Sequence, residues 1–186
     1  MKPLFTLHAG EIVAGEHIEH AYKNVNVWVP TKDTGVDILV TDKTNKKVVS
    51  LQVKYSKHFQ SGLNDAKLER GLRACGWWTL TRKKIKDSSA DYWIFALRGL
   101  ESKEFDFIII PPTELLRRLD AIYPKKLSTC HTYLWVTNEK KSKCWTTRGL
   151  GKTKQSLIAQ GTFSNHEDWD FSDYLNNWSP VKELNG

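Results

Sequence analysis

The 186-residue chain has little cysteine, and what it has is poorly placed for covalent staples. Cys75, Cys130 and Cys144 are odd in number and lack CxxC spacing, which argues against a disulfide framework or a four-cysteine zinc site and leaves reduced structural thiols. Cys130 and the adjacent His131 have only the distant Cys144 for company, which no common zinc spacing uses. No run approaches the roughly eighteen apolar residues that would span a bilayer. The first eight residues are too short and too polar for a signal peptide. The expectation is a soluble, cytoplasmic protein with no membrane partner. Internal repeats, low-complexity stretches and linkers are also missing, so one globular domain over residues 1–186 is expected. That length buries a sizeable core without staples.

What the chain does have is eight tryptophans, 40% hydrophobic residues and a formal charge of +7. The first two argue against disorder. The third favours polyanionic partners, because lysine and arginine gain affinity by releasing phosphate counterions, but charge alone does not name the partner.

Apolar residues at Ile12, Val13, Ile18 and Ala21 give His8 to Tyr22 a helical period, followed by a β-rich run from Val25 to Val29. Residues 31–35 read as a turn. Val36 to Thr41 and Val48 to Tyr55 read as an antiparallel hairpin around the polar loop 42–47. Its sheet neighbours are expected to be Val25 to Val29, then Trp77 to Thr81 or Asp91 to Leu97, and Phe105 to Ile110. Leu63 to Ala74 reads as a helix, and a second starts at Pro111-Pro112, where proline is tolerated. Thr132 to Thr137 and Lys143 to Thr146 read as strands and Asp168 to Trp178 as a terminal helix. The fold class is α/β, a mixed central sheet with helices on both sides.

Within the hairpin, Asp37 opens an otherwise apolar strand, a placement that needs a reason because an unpaired buried carboxylate is costly. On the partner strand Gln52 and Lys54 share one face, since strand side chains alternate. In-register pairing clusters all three. A carboxylate and an amide oxygen suit a hard divalent cation, and a lysine beside them can orient or activate an attacking water. Each residue also has a plainer role: Asp37 as a cap for local amides, Gln52 and Lys54 as exposed strand polar residues.

The arrangement resembles the PD-(D/E)xK nuclease superfamily, restriction endonucleases and Holliday-junction resolvases included, with Gln52 where the (D/E)xK element has its carboxylate. Some members show that departure, such as the nuclease subunit of certain transposases. His8-Ala9-Gly10-Glu11-Ile12-Val13-Ala14 is similar to the Ala-Gly-Glu opening of small members, whose helix glutamate joins the metal site. Glu11 matches best, with Glu16 and Glu19 as alternatives. The strands around Trp77, Asp91 to Leu97 and Phe107 to Ile110 extend the likeness over roughly residues 8 to 120, with 121–186 an extension.

The resemblance implies a restriction-endonuclease-like sheet and hydrolysis of phosphodiester bonds in DNA, in restriction, repair or defence. It implies Mg²⁺, with Mn²⁺ as a substitute, held by Glu11, Asp37, Gln52 and the Val53 carbonyl, with Lys54 orienting the water. A homodimer or larger nuclease complex fits it, as does a non-cleaving DNA-binding subunit. Two basic clusters are candidates to grip the phosphate backbone. The first holds Lys57 and His58, then Arg70, Arg73, Arg82, Lys83, Lys84 and Lys86; the second holds Lys140, Lys141, Lys143, Arg148, Lys152 and Lys154. Most tryptophans sit in apolar patterns and are expected in the core, with Trp145 kept as a DNA contact. The acidic patch of His166 to Asp170 with Asp173 reads as the start of a capped helix, or else as a second metal site.

Overall fold

The computed structural model describes residues 8–184 except 33, 57–60, 62, 64, 103 and 165. The chain is mixed α/β. Five strands, β1 (Val25–Trp28), β2 (Ile38–Asp42), β3 (Val48–Tyr55), β5 (Tyr92–Arg98) and β6 (Phe105–Ile110), form one sheet in the order β1-β2-β3-β5-β6. Its pairs are antiparallel except β3 with β5, which run parallel. β2 and β3 form the expected hairpin, and β5 is the strand beside it. The other candidate neighbour belongs to a second sheet, in which β4 (Leu72–Thr81) pairs with β7 (Thr129–Thr137) and β7 with β8 (Cys144–Thr146).

Alternation along β5 and β6 explains how the layers stack. Ile94, Ala96, Phe107 and Ile109 face one core, shared with Ile38, Val40, Leu51 and Val53. Trp93, Phe95, Leu97, Ile108 and Ile110 face the other, shared with Trp78, Leu80, Leu134 and Val136 of the second sheet. Helix α1 (Ala9–Ala21) covers the first face, burying Gly10, Ala14 and Ile18, which lie four residues apart on one ridge. Helices do not simply flank the sheet on both sides, as the sequence suggests: the second face is covered by the second sheet, with α4 (Pro112–Ile122) beside it. α4 begins where the prolines place it.

Two expected helices are replaced. Leu63 to Ala74 yields only a single turn, α2 (Ala66–Glu69), before β4 starts at Leu72. Helix-favouring Leu, Ala, Lys and Arg are overridden by the ladder to β7, from Leu72↔Thr137 to Thr81↔Thr129. Asp168 to Trp178 forms two short 3-10 turns, Glu167–Trp169 and Ser172–Tyr174, and the last helix, α6, is Ser179–Lys182. This stretch serves the sheet edge. The backbone amide of Asn176 donates to the Phe107 carbonyl at 2.6 Å, and the Phe107 amide donates to Asn176 Oδ1 at 2.8 Å, so β6 is not left with a bare edge there.

Residues beyond 120 are woven into both layers, with β7 central to the second sheet and Trp178, Val181 and Leu184 in the α1 core. An unforeseen helix, α5 (Lys152–Ala159), covers part of the second sheet's outer face with Ile158 and Ala159. All three cysteines are buried and free. Cys130 packs inward while its neighbour His131 lies on the opposite face of β7, so the two do not converge on a metal. No helix among the described residues is long and apolar enough to cross a membrane.

The acidic run meets α4 through one carboxylate, Asp168, and the backbone carbonyls of Glu167 and Asp170. Arg118, with its side chain 6% exposed, donates to Glu114 Oε1 at 2.7 Å and to the Glu167 carbonyl at 2.6 Å. Arg117 bridges Glu114 Oε2 at 2.8 Å and Asp168 Oδ1 at 2.9 Å. The hydrogen bond from Arg117 foremost, then that from Arg118, holds the Glu114 carboxyl at about 2 against the upward push of partial burial. A depressed carboxyl stabilises the fold above its ordinary value of 4.5, and that contribution is lost as pH falls toward 2. Glu114→Gln should therefore cost about 1–3 kcal/mol at neutral pH and flatten the acid limb of stability between those values, read by urea unfolding across pH. An unchanged acid limb would assign the pairing no energetic role.

Candidate active site

The cleft forms where one strand pairing stops and another continues. β2 pairs with β3 only from Ile38↔Leu51 onward, while β3 continues beside β5 through Gln52↔Trp93, Val53↔Ile94, Lys54↔Phe95 and Tyr55↔Ala96. At the break the Asp37 amide still donates to the Leu51 carbonyl at 2.8 Å. The next bond is made by a side chain, as the Val53 amide donates to Asp37 Oδ2 at 2.7 Å. The carboxylate thus caps the opening in the ladder. The N–H and C=O of one strand residue project to the same edge, so the Val53 carbonyl faces the same opening. Gly35, at φ +86°, makes the turn that brings Asp37 in.

Around this break lies a cleft of about 880 Å³ lined by Glu11, Asp37, Gln52, Val53 and Lys54 together. Every residue expected to form the catalytic and metal site is therefore in one place, and Glu16 and Glu19 are not in the lining. Glu11 comes from another layer of the fold. A Cβ on buried Gly10 would sit 2.7 Å from Tyr55 Cβ and 3.3 Å from Val53 Cγ1, so only glycine lets the start of α1 press on β3. Glu11 has a local task too, since the His8 amide donates to its Oε2 at 3.2 Å and helps cap the helix.

Lys54 and its support come from the parallel pairing. Its Nζ stands 5.2 Å from the centroid of the Trp93 ring, whose Nε1 donates to Ser88 Oγ at 2.9 Å. Trp93 is 2% exposed, so the indole is a fixed surface for the ammonium group. Ser89 Oγ donates to the Thr34 carbonyl at 3.1 Å, tying the segment after α3 (Arg82–Lys86) to the turn before Asp37. Trp93, Ser88 and Gly10 are the participants that sequence reading missed. The signal for Trp93 was its place opposite Gln52, visible only once β3 and β5 are known to be parallel.

Of the basic residues, Lys83 and Lys84 are exposed and line the cleft. Arg82 does not. It forms an ion pair with Asp120 and donates to the Leu127 carbonyl at 2.6 Å, anchoring α3 to the end of α4. Lys141 and Lys143 lie between β7 and β8, where the Asn138 amide meets the Gly71 carbonyl at the start of β4. The cleft lysines follow the far end of β4, about 30 Å away for ten extended residues. Lys141 and Lys143 are therefore on a separate surface from the cleft lysines, whereas Arg73 of the first cluster donates to Ser142 Oγ at 2.8 Å and lies beside them. Lys57 and His58 fall outside the described residues. Trp145, expected at a DNA surface, is 2% exposed in the core against Phe163, whereas Trp77, expected inside, is 42% exposed.

The residues expected to hold a cation offer it oxygen, two carboxylates, an amide and a backbone carbonyl, a set that fits a hard divalent ion, and His8 and Asp87 also line the cleft. Among the described residues no three His, Cys, Asp or Glu side chains gather into a metal-holding group. No family model matches the sequence, and neither the curated proteins nor the solved structures give a significant match.

Gly10→Ala should lower stability by about 1–3 kcal/mol, because the contacts are close to the β3 backbone and cannot yield cheaply. Gly15→Ala, whose added Cβ would meet Val27 Cγ1 at an ordinary 3.8 Å, should instead raise it by about 0.5–1 kcal/mol through helix propensity. Urea unfolding of both variants checks the pair, and equal effects would refute the packing argument.

Proposed function

We propose that the chain is a divalent-metal-dependent nuclease that hydrolyses phosphodiester bonds in DNA, built on a restriction-endonuclease-like core. The supporting observation is the convergence of Glu11, Asp37, Gln52, Val53 and Lys54, from three separate segments, on one cleft with Lys83 and Lys84 among its lining. Asp37, Gln52, the Val53 carbonyl and Glu11 would hold Mg²⁺ or Mn²⁺. Bound there, the cation supplies Lewis-acid stabilisation of charge developing on the scissile phosphate. Lys54, backed by Trp93, orients the attacking water. Lys83 and Lys84 bind the phosphate backbone and position the substrate without reading sequence. Restriction, repair or defence are the settings such chemistry serves, with a homodimer or larger complex as the assembly.

Gln52 shapes the site's charge. As a neutral ligand it leaves the site one negative charge short of a three-carboxylate version, a charge that substrate phosphate would supply. Free protein should bind Mg²⁺ weakly by calorimetry and more tightly with DNA present. Gln52→Glu should tighten binding to the free protein on the order of tenfold. Tight Mg²⁺ binding by free wild-type protein would contradict this.

A second reading, a DNA-binding subunit that does not cut, draws on one observation: Asp37 and Glu11 already serve backbone amides of Val53 and His8. Incubation with DNA and Mg²⁺ or Mn²⁺ separates the two. Cleavage that falls about a hundredfold or more in Lys54→Ala supports the nuclease. Binding without cleavage by the wild type supports the subunit.

A further inference from the structure

The outer face of the second sheet is only half covered. Where α5 and its neighbours end, Trp77 and Thr79 of β4 lie directly opposite Tyr133 and His131 of β7. The Trp77 and His131 rings are near parallel, 10° apart in plane with centroids 5.9 Å apart, and Tyr133 is tilted 6.1 Å from Trp77. Thr79 Oγ1 hydrogen-bonds His131 Nδ1 at 3.2 Å and orients that ring. The Arg148 guanidinium carbon lies 6.0 Å from the centre of the Tyr133 ring. This exposed tryptophan belongs to an ordered stripe of rings.

The stripe leads into the cleft. Thr81, two residues beyond Thr79 and on the same face of β4, lines the cleft with Lys83 and Lys84 close behind. Trp77 lies about 13 Å from Thr81 along an extended strand. Its backbone is also fixed to the end of the Lys54 strand, as the Trp77 amide donates to Ser56 Oγ at 3.1 Å. Rings presented in sequence beside cations, along a path to a site for phosphodiesters, are the elements of a single-strand track, where bases stack on aromatics and the backbone follows positive charge.

We propose that Trp77, His131 and Tyr133 form a stacking platform for an unpaired segment of the DNA substrate, with Arg148 at one end and the cleft at the other. The inference rests on the nuclease reading and narrows its substrate to DNA with a single-stranded portion. A purely apolar partner would leave the Arg148 charge to be desolvated, and a duplex hides its base faces along its length.

The test measures anisotropy of a labelled single-stranded oligodeoxynucleotide and of the blunt duplex of the same sequence, with wild-type protein in EDTA so that nothing is cut. Trp77→Ala is expected to weaken single-strand binding roughly tenfold while duplex binding stays within about twofold. Tyr133→Ala should do the same, and Trp77→Phe should keep most of the affinity. Equal losses on both DNAs, or no loss on the single strand, overturn the platform. So does a wild-type dimer that Trp77→Ala dissociates in sedimentation without selective loss of single-strand binding, which would make the stripe a contact between copies. A parallel Mg²⁺ cleavage assay keeps the two readings apart. Trp77-dependent single-strand binding without cleavage sinks the nuclease and spares the platform, whereas cleavage indifferent to Trp77→Ala and Tyr133→Ala does the reverse.

Discussion

The cleft depends on β2 releasing β3 at Asp37 while β5 keeps hold of it. Had the hairpin paired for the full length of β3, the Val53 amide would be bonded to backbone and no gap would exist at Gln52 and Lys54. Had β5 also let go, four residues of β3 would carry unsatisfied polar groups into a buried region. The carboxylate of Asp37 resolves this by taking the Val53 amide, so one side chain both ends the ladder and stands at the mouth of the opening. The same economy appears at Glu11, which caps its helix and lines the cleft.

This double use changes how the site is understood. A carboxylate that holds a backbone amide is fixed in place, and fixed oxygen ligands make a better template for a cation than mobile ones. It also gives the two residues a structural reason to be acidic, independent of chemistry. Lys54, whose ammonium lies 5.2 Å from the centre of the Trp93 ring, is the site residue whose replacement bears most directly on catalysis.

Much of this was legible in the sequence. The two strands and the polar loop between them marked the hairpin, and the observed register, Ile38↔Leu51, puts Asp37 and Gln52 on one face. The helical period read over His8 to Tyr22 located α1, although of its apolar positions Ile18 is buried while Ile12 and Ala21 are exposed. What could not be read was long-range pairing. Leu72 to Ala74 has the composition of a helix and becomes strand because β7 is there to receive it. Phe171, Leu175 and Trp178 are spaced as on a helix face but are spent separately on the core and the edge of β6. Trp77 and Trp78, adjacent and chemically identical, part company only because a strand sends neighbours to opposite faces.

The parallel pairing of β3 with β5 carries one more consequence. The chain between them must leave the first sheet, and it uses the journey to lay down β4, the strand on which the second sheet is built. Closing that crossover costs loop entropy that is recovered only when both sheets share the core of Trp78, Trp93 and Phe95. Neither sheet is then a separable folding unit. In hydrogen-exchange terms, amides in the middle of β4 and of β5 should then fall in one protection class, opening together in a single event that also dissolves the cleft.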